Sequence, residues 1–367
     1  MKFSISREAL LRPLTLVAGV VERRQTLPVL SNVLIEIEGD QVALTGTDLE
    51  VELIGRTVAS AVEQEGAATV PARKLMDICK SLPEQAEVQL AVEEGRAVLR
   101  SGRSRFTLST LPAAEFPSIE EAEGGQELSV PRGTLKHLID STAFAMAQQD
   151  VRYYLNGLLL EIQTNLLRAV ATDGHRLAMC SRSVEVVVEQ SQKLIVPRKG
   201  ILELSRLLDD SDEPVSLTLG STHVRIHTGD FTFTSKLIDG KFPDYERVVP
   251  RNGDKVLLAE RADLRQMLSR TAILSNEKYR GVRLYLEPGN LKVMANNPEQ
   301  EEAEENIAVE YNGAAMEIGF NVGYLVDVLS VLNEDRMQMT LANSNSSALM
   351  EEPGGGDALY VVMPMRL

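Results

Sequence analysis

One sequence pattern occurs three times along this 367-residue chain, at intervals of about 125 residues. An apolar stretch at 30–37 returns at 155–162 and again at 279–286. Each stretch is followed by turn residues and a second alternating run, a combination typical of a β-hairpin. The turns are Gly39-Asp40, Gln163-Thr164-Asn165 and Pro288-Gly289-Asn290. The repetition predicts three similar domains rather than one large fold.

Each copy also contains two stretches whose apolar residues follow the i, i+3, i+4, i+7 spacing of one buried helix face. The predicted helices cover 6–24, 71–82, 131–148, 197–208, 260–274 and 320–333. Pro71 and Pro197 open two of these helices, since proline fits the first helical turn. Several strands with two helices per copy predict an α+β fold, with the helices on one face of antiparallel sheet. The predicted domains are 1–121, 128–244 and 245–367.

Composition sets limits on the cellular setting. The chain is 44% hydrophobic and 25% charged, which is enough for three buried cores. Its two cysteines, Cys79 and Cys180, have neither disulfide nor metal spacing, so we expect no metal and a reducing, cytoplasmic location. The N-terminus lacks the pattern of a signal peptide, and no apolar run is long enough to cross a membrane.

The charge is unevenly distributed. The net charge is −15, yet Lys and Arg outnumber Asp and Glu in the six predicted helices taken together. The helix at 320–333 is the exception, because it has no Lys or Arg. Helices that share one surface would make that surface basic and attract a polyanion. Solvated surface charge is the alternative explanation.

The sequence contains few candidates for catalysis. His223 and His227 lie four residues apart in an alternating strand, too far apart to share a metal ion. Asp173 and His175 have the residue types of an acid–base pair, but no nucleophile motif accompanies them. We therefore interpret them as part of a structured turn or a pocket wall. The sequence predicts a protein that is not an enzyme and has no cofactor.

Four segments together resemble one family, the bacterial DNA polymerase III beta subunit, or sliding clamp. They are 171–177, 241–245, 273–284 and 360–367. The resemblance implies that two chains pair head to tail into a ring of six clamp domains around double-stranded DNA of any sequence. It further implies that the ring tethers the replicative DNA polymerase alpha subunit and is opened by a clamp loader. Other DNA polymerases and repair proteins would bind through short clamp-binding motifs.

The resemblance also implies two sets of binding residues. The partner-peptide pocket would comprise Leu155, Thr172, Gly174, His175, Arg176, Leu177, Pro243, Arg247, Val248, Asn321, Tyr324, Ser347, Val361, Val362, Met363, Pro364, Met365, Arg366 and Leu367. The DNA contacts would comprise Arg24, Arg73, Gln149, Tyr153, Tyr154, Lys199 and Arg206. Asn345 departs from the family pattern, because an apolar residue is expected at that position of the pocket.

The pairing surfaces are predicted from charge as well. The last strand of the first copy carries several arginines around Phe106 and Leu108, whereas the third copy has an acidic run and the apolar pair Ile273-Leu274. Complementary charge around an apolar centre suits a head-to-tail dimer. The predicted interface residues are Lys74, Arg103, Arg105, Phe106, Leu108, Ile273, Leu274, Glu299, Glu301 and Glu304.

Two other classes of protein remain open at this stage. A scaffold that binds only proteins would share the pocket but would have no use for basic helices. An enzyme would have to act through Asp173 and His175.

Overall fold

The computed structural model describes residues 1–22, 27–119 and 125–366, and the order of elements is the same in each sequence copy apart from one additional strand before the second helix of the first copy. The first copy contains β1 (Lys2–Ser6), α1 (Arg7–Val20), β2 (Asn32–Glu38), β3 (Gln41–Thr47), β4 (Val51–Val58), β5 (Ala61–Gln64), β6 (Gly66–Pro71), α2 (Ala72–Ser81), β7 (Glu87–Glu93), β8 (Arg96–Ser101) and β9 (Ser104–Ser109). The second contains β10 (Gln126–Pro131), α3 (Arg132–Thr142), β11 (Gly157–Gln163), β12 (Leu166–Thr172), β13 (Arg176–Ser183), β14 (Gln192–Pro197), α4 (Arg198–Ser205), β15 (Pro214–Leu219), β16 (His223–Thr228) and β17 (Phe231–Lys236). The third contains β18 (Lys255–Glu260), α5 (Arg261–Thr271), β19 (Gly281–Glu287), β20 (Asn290–Asn296), β21 (Glu302–Ala308), β22 (Met316–Asn321), α6 (Val322–Val331), β23 (Arg336–Leu341), β24 (Ala348–Glu351) and β25 (Ala358–Val362).

The predicted α+β architecture and the three hairpins are confirmed. Each hairpin closes over two residues, at 39–40, 164–165 and 288–289. Gly39, Asn165 and Gly289 have positive φ values of 60°, 61° and 78°. This left-handed conformation is the one that glycine and asparagine tolerate best in hairpin turns.

The predicted helix bounds are wrong at several ends. The helices α1, α3 and α5 end earlier than predicted, and short 3-10 turns follow α3 at Ala143–Ala145 and α5 at Ala272–Leu274. Apolar spacing continues through such turns, so periodicity alone does not locate the helix end. Pro71 is extended and precedes α2 as its N-cap, and Pro197 is the last residue of β14.

One compact unit comprises Met1–Lys136 and Lys199–Leu237. It contains a five-stranded sheet with the order β5-β1-β7-β8-β9 and an eight-stranded sheet with the order β10-β15-β16-β17-β4-β3-β2-β6. The helix α1 buries Leu10, Leu14 and Val17 on one face and packs against α2. In the eight-stranded sheet, antiparallel pairing of β17 with β4 joins strands of two sequence copies.

The second unit comprises His137–Arg198 and Ile238–Leu367. Its eight-stranded sheet has the order β14-β11-β12-β13-β25-β24-β23-β18, and its four-stranded sheet has the order β21-β20-β19-β22. Pairing of β13 with β25 again joins two sequence copies. The helix α5 buries Leu264, Met267 and Leu268 and packs against α6. Within the described residues, every helix is too short or too polar to cross a membrane.

Candidate functional site

The turn between β12 and β13 has a backbone fixed by two side chains. Thr172 Oγ1 donates to the carbonyl of Arg176 (2.6 Å) and accepts from the N–H of Gly174 (3.1 Å). Asp173 Oδ1 accepts the backbone N–H groups of His175 (2.9 Å) and Arg176 (3.1 Å). The Asp173 carboxylate therefore holds the backbone of the turn, and its contact with His175 is to the main chain and not to the imidazole ring.

Gly174 has a left-handed backbone and lies against the end of a flexible arginine side chain. Its φ is +88°, and a Cβ atom there would lie 2.7 Å from the guanidinium Nη1 of Arg152. The equivalent position in the first copy is Leu49, which adopts φ 78° with a side chain. A side chain is thus tolerated at this position in the first copy. In the second copy it would also displace the guanidinium of Arg152, which donates to the carbonyl of Asp173 (3.1 Å).

The Arg176 side chain supports the wall of the site. Its Nε donates to Asp173 Oδ2 (3.1 Å), its Nη1 is paired with Asp327 on α6, and its Nη2 donates to the carbonyl of Phe144 (2.9 Å). The guanidinium carbon also lies 4.6 Å from the centre of the Tyr324 ring, a cation–π distance. With only 12% of its side chain exposed, Arg176 serves mainly to join the turn to α6. Asp327 and Phe144 were not predicted, although Asp327 lies one helical turn from Tyr324.

The floor of the site is an apolar cluster beneath β13 and β25. Leu177 and Val361 stand opposite each other across these strands and are 3% and 1% exposed. Leu155 and Val362 are likewise buried. Leu177 and Val361 therefore form the packed base, because their side chains have almost no surface left for a ligand. Val362 follows Val361 in the strand and so faces the other side of the sheet, and Leu155 lies in the 3-10 turn before β11. The other buried members of the Leu177 cluster are Leu159, Val170, Ile195, Phe242 and Tyr245.

A buried hydrogen-bond network holds the segment that carries Pro243, Arg247 and Val248. The Tyr245 hydroxyl donates to Glu161 Oε2 (2.5 Å) and accepts from Arg168 Nη1 (2.9 Å). Burial raises the pKa of Tyr245 to about 12, and the hydrogen bond to Glu161 acts in the same direction. The tyrosine thus stays protonated and keeps donating at physiological pH.

The exposed pocket residues are distributed over three concave regions. A groove of about 780 Å³ is lined by Arg247, Val248 and Ser347 together with Asn345. Pro243 lines another cavity of about 490 Å³, beside Phe242. A third cavity, of about 450 Å³, is lined by residues that include Tyr279, Arg283, Met365 and Arg366. Asn345 therefore lies in the groove where the family pattern has an apolar side chain, and it makes that wall polar.

The C-terminal segment is held by its backbone. The N–H of Met363 donates to the carbonyl of His175 (2.9 Å), and the N–H of Met365 donates to the carbonyl of Gly319 (2.7 Å). The His175 ring lies 6.4 Å from Tyr324 at an angle of 21°, so the rings are stacked. On α6, Asn321 caps the helix by accepting from the N–H of Gly323. Leu367 lies outside the described residues.

Three predicted DNA-contact residues share one loop. Gln149 has a positive φ of 56°, Tyr153 is 57% exposed, and the rings of Tyr153 and Tyr154 meet edge to edge at 5.7 Å. The loop is fixed because Asp150 accepts from the Arg152 side chain through both oxygens. These hydrogen bonds lower the pKa of Asp150 to about 2.

The predicted cationic contacts differ in how free their charges are. Arg73 is exposed on α2. Lys199 Nζ binds Glu22 Oε1 (2.8 Å) and the Asp48 carboxylate, and Arg206 Nη1 binds Glu203 at 2.8 Å. These carboxylates partly neutralise both side chains before any phosphate approaches. Arg24 lies outside the described residues.

The predicted pairing residues lie at or beside two sheet edges. The interpretation of the arginines as one basic strand is wrong, since Arg96 and Arg100 belong to β8, Arg105 belongs to the edge strand β9, and Arg103 lies in the turn between them. Phe106 and Leu108 also belong to β9, and Lys74 is exposed on α2. At the other edge, Glu304 belongs to β21, Glu299 and Glu301 precede it, and Ile273 and Leu274 lie in the 3-10 turn after α5.

Neither cysteine has the environment of a nucleophile. Burial raises the pKa of Cys79 to about 11 and that of Cys180 to about 12. Both thiols are buried and remain protonated at neutral pH, whereas a catalytic cysteine acts as an exposed thiolate. The enzyme alternative would instead act through Asp173 and His175, and it lacks a geometric basis because the Asp173 carboxylate binds the backbone of the turn rather than the His175 ring.

The described residues define a class of protein: a triplicated α+β protein built on antiparallel sheets, with open grooves suited to binding rather than catalysis. Three consecutive segments match the domains of one family, described as the DNA polymerase III beta subunit N-terminal domain (1–120), central domain (129–244) and C-terminal domain (246–366). The chain belongs to the DNA polymerase III beta subunit family, the bacterial beta sliding clamps. Its function is that of a DNA sliding clamp, a non-catalytic processivity factor of DNA replication.

Individual relatives match over their whole length. The beta sliding clamps of Pseudomonas aeruginosa and Escherichia coli K12 are 62% and 53% identical to this chain, and in each case the alignment covers the whole of both sequences. A crystal structure of the P. aeruginosa sliding clamp bound to griselimycin has a TM-score of 0.96 at 62% identity, with both chains fully covered. The Caulobacter crescentus pol III beta structure has a TM-score of 0.92 at 40% identity, again with full coverage of both chains. Membership of this family implies, in general terms, partnership with DNA and a polymerase, and dimerisation.

Proposed function

We propose that two copies of this chain pair head to tail through β9 of one and β21 of the other, closing a ring of six domains around duplex DNA. The main observation in support of this pairing is that β9 and β21 are both edge strands. An unpaired edge is a template for pairing with another chain. Two such contacts, related by a two-fold axis, close the dimer.

The internal repeats support this choice of edges. In both eight-stranded sheets, the last strand of one copy pairs antiparallel with the third strand after the first helix of another copy: β17 with β4, and β25 with β13. The strands left over from this pattern are β9, the last strand of copy one, and β21, the equivalent third strand of copy three. Their pairing would make a third joint of the same kind and join the five-stranded sheet of one chain to the four-stranded sheet of the other.

The register of this joint follows from the β17–β4 joint. Thr232 stands opposite Ile54 there, and Arg105 and Glu304 occupy the equivalent places in their own hairpins. Arg105 would therefore face Glu304. On the other face of the sheet, Phe106 would face Ala303, and both belong to the core side because their neighbours Leu99 and Ala295 are buried. The joint would thus have an apolar inner face and a charged outer face.

This register predicts the effect of charge reversal. Arg105→Glu alone, or Glu304→Arg alone, places like charges opposite each other in both contacts, which is destabilising. At about 0.2–1 kcal/mol per pair, the two contacts together should weaken dimerisation by roughly tenfold. An equal mixture of the two variants should restore the dimer, because the mixed dimer has an opposite-charge pair at each contact. Native mass spectrometry at a series of dilutions measures all three species.

The matched control is Arg12→Glu, which reverses an arginine with a 73% exposed side chain on α1, away from either edge strand. It should dimerise like the unaltered protein. Homodimers of both reversal variants at normal affinity, with no preference for the mixed dimer, would contradict the proposed register.

For DNA, the proposal assigns the backbone contacts to Gln149, Tyr153, Tyr154, Arg73, Lys199, Arg206 and Arg24. The 57% exposure of Tyr153 supports such a contact, since tyrosine, glutamine and cationic side chains bind the phosphates of duplex DNA without reading its sequence. The carboxylates that are paired with Lys199 and Arg206 support weak direct binding of DNA by these two side chains. Retention would then depend on enclosure rather than on affinity.

Enclosure predicts dependence on the topology of the DNA. Protein assembled on a nicked circular plasmid by a bacterial clamp loader and ATP should co-elute with it in gel filtration, and should leave once a restriction enzyme cuts the circle. The same linear DNA with protein-blocked ends should retain it. Equal retention on linear DNA with free ends and on circular DNA would refute the ring. No retention on either DNA would favour the alternative of a scaffold that binds only proteins.

For partners, the proposal places short peptides of the polymerase alpha subunit, the clamp loader, other DNA polymerases and repair proteins in the grooves around the 172–176 turn. The half-exposed Val248, Pro364 and Met365 and the exposed Met363 support apolar anchoring. Methionine adapts to different ligands, as a shared site requires. Asn345 supports a preference for a polar group beside the groove that it lines.

The domain limits 1–121, 128–244 and 245–367 and the cytoplasmic location also remain proposals. The element order supports the limits, because each predicted domain contains one sequence copy from its first helix to the last of its three final strands; the limit at 128 falls inside β10. Two buried, unpaired cysteines support a reducing compartment.

A further inference from the structure

Three side chains of different chemistry meet at one end of the β13–β25 joint. They are His137 on α3, Cys180 on β13 and Asp357, the residue before β25. The ligand atoms of all three lie within 4.8 Å of one another. Among the described residues, this is the group of His, Cys, Asp and Glu side chains whose geometry could hold a metal ion.

The backbone fixes two of the three donors. Cys180 stands opposite Ala358 across the joint, and the N–H of Ser181 donates to the carbonyl of Asp357 at 2.8 Å. The Asp357 carboxylate is thereby held beside the Cys180 side chain. His137 reaches the same carboxylate from α3, with 3.1 Å between Nε2 and Oδ2.

The surroundings combine a buried donor with two partly open ones. Cys180 is fully buried, whereas the side chains of His137 and Asp357 are 25% and 27% exposed. A water molecule could therefore reach the outer side of the cluster. Arg182 Nε also lies 2.5 Å from Asp357 Oδ2 and balances the charge of the carboxylate.

The geometry points to a binding site for a zinc-like divalent ion with Cys180 Sγ, His137 Nε2 and Asp357 Oδ2 as ligands and water in the fourth position. Zn²⁺ takes sulfur, nitrogen and oxygen donors in tetrahedral sites, with bond lengths of about 2.0–2.3 Å. A thiolate ligand favours Zn²⁺ over Mg²⁺ or Ca²⁺, which prefer oxygen. On binding, the Cys180 thiol loses its proton to solvent, and the ion replaces the His137–Asp357 hydrogen bond.

Such an ion would link α3, β13 and the start of β25. The strand β25 carries Val361 into the base of the peptide site, so the ion would stabilise that base from the other end of the strand. Arg182 competes with the ion for Asp357 Oδ2. After binding, Arg182 would move to the remaining oxygen, as outer-shell partners of ligating carboxylates do.

Cobalt substitution tests the site in the full-length, tag-free, reduced protein after chelator treatment. Titration with Co²⁺ should give the thiolate-to-cobalt charge-transfer band and the intense visible bands of tetrahedral coordination, saturating at one ion per chain. Added Zn²⁺ should abolish them by displacement. His137→Ala and Asp357→Asn should each weaken binding by about tenfold or more, and Arg182→Gln should tighten it.

Cys180→Ser should remove the charge-transfer band, whereas Cys79→Ser, the matched control at the other buried cysteine, should keep it. Circular dichroism checks that each variant is folded. Because His137 and Asp357 are partly exposed, their variants test the site even if Cys180→Ser fails to fold. No charge-transfer band in the unaltered protein, or a band that His137→Ala and Asp357→Asn leave unchanged, would overturn the assignment.

Discussion

Replacing both Ile273 and Leu274 by alanine is expected to convert the dimer into monomers. Ile273 is 77% exposed in the single chain, so a partner chain can bury it. It lies in the 3-10 turn after α5; this turn contacts β20, the neighbour of the β21 edge strand, and α5 contacts β21 itself. If pairing with β9 buries the two side chains, truncating each of them to alanine makes the free energy of dimerisation less favourable by about 2–5 kcal/mol. The effect is doubled because both chains of the ring contain the substitutions. Sedimentation equilibrium over a dilution series measures the dimer fraction.

Val187→Ala provides the matched control, since Val187 is 80% exposed but belongs to the loop before β14. It should leave the dimer unchanged. The melting temperature of the Ile273/Leu274 variant at monomer concentrations separates lost pairing from lost folding. A dimer of unaltered affinity would show that the interface lies elsewhere.

Much of the fold could be predicted because local sequence patterns indicate its turns and helices. The hairpin turns have glycine or asparagine where positive φ is needed, so the first turn was located correctly and the predicted turns at 163–165 and 288–290 each include one residue that belongs to a strand. Helix ends were harder to locate. At Ala143–Ala145 and Ala272–Leu274, the chain tightens into 3-10 turns while its apolar spacing continues.

The candidate site could be predicted only where its residues are close in sequence. The Thr172–Arg176 turn is local, and its hydrogen bonds follow from the residue types. The role of Arg176 depends on Asp327, 151 residues away, and the zinc-like cluster depends on His137 and Asp357, which are 220 residues apart. Spacing rules for metal ligands do not detect donors that only the β13–β25 joint brings together.

The pairing surface shows the same limit at the level of sheets. Charge predicted that a basic segment would meet an acidic one, but it could not give the register. The register depends on equivalent positions in β17 and β4, and the pairing of these strands is known only from the tertiary structure. Once that joint is known, Arg105 and Glu304 follow as a specific pair.

Deleting residues 363–367 is expected to abolish peptide binding while the dimer still forms. Chain ends are usually disordered, yet this one is held by the hydrogen bonds of Met363 to His175 and of Met365 to Gly319. The deletion removes exposed or half-exposed apolar side chains beside the turn, and neither edge strand is touched. Losing several anchors at once should weaken binding by about 2 kcal/mol or more, roughly thirtyfold. Fluorescence anisotropy with a labelled peptide carrying Gln and Leu or Phe measures the affinity.

A scrambled peptide sets the background of that titration, and sedimentation of the truncated protein must give the dimer mass. Arg366→Ala serves as a matched variant, because it alters an exposed side chain of the same segment but keeps both backbone hydrogen bonds. Its loss of affinity should be much smaller, since a single exposed side chain contributes less than the whole apolar wall. Wild-type affinity after truncation would refute the assignment of the pocket, whereas equal losses for the two variants would assign the binding energy to the Arg366 charge.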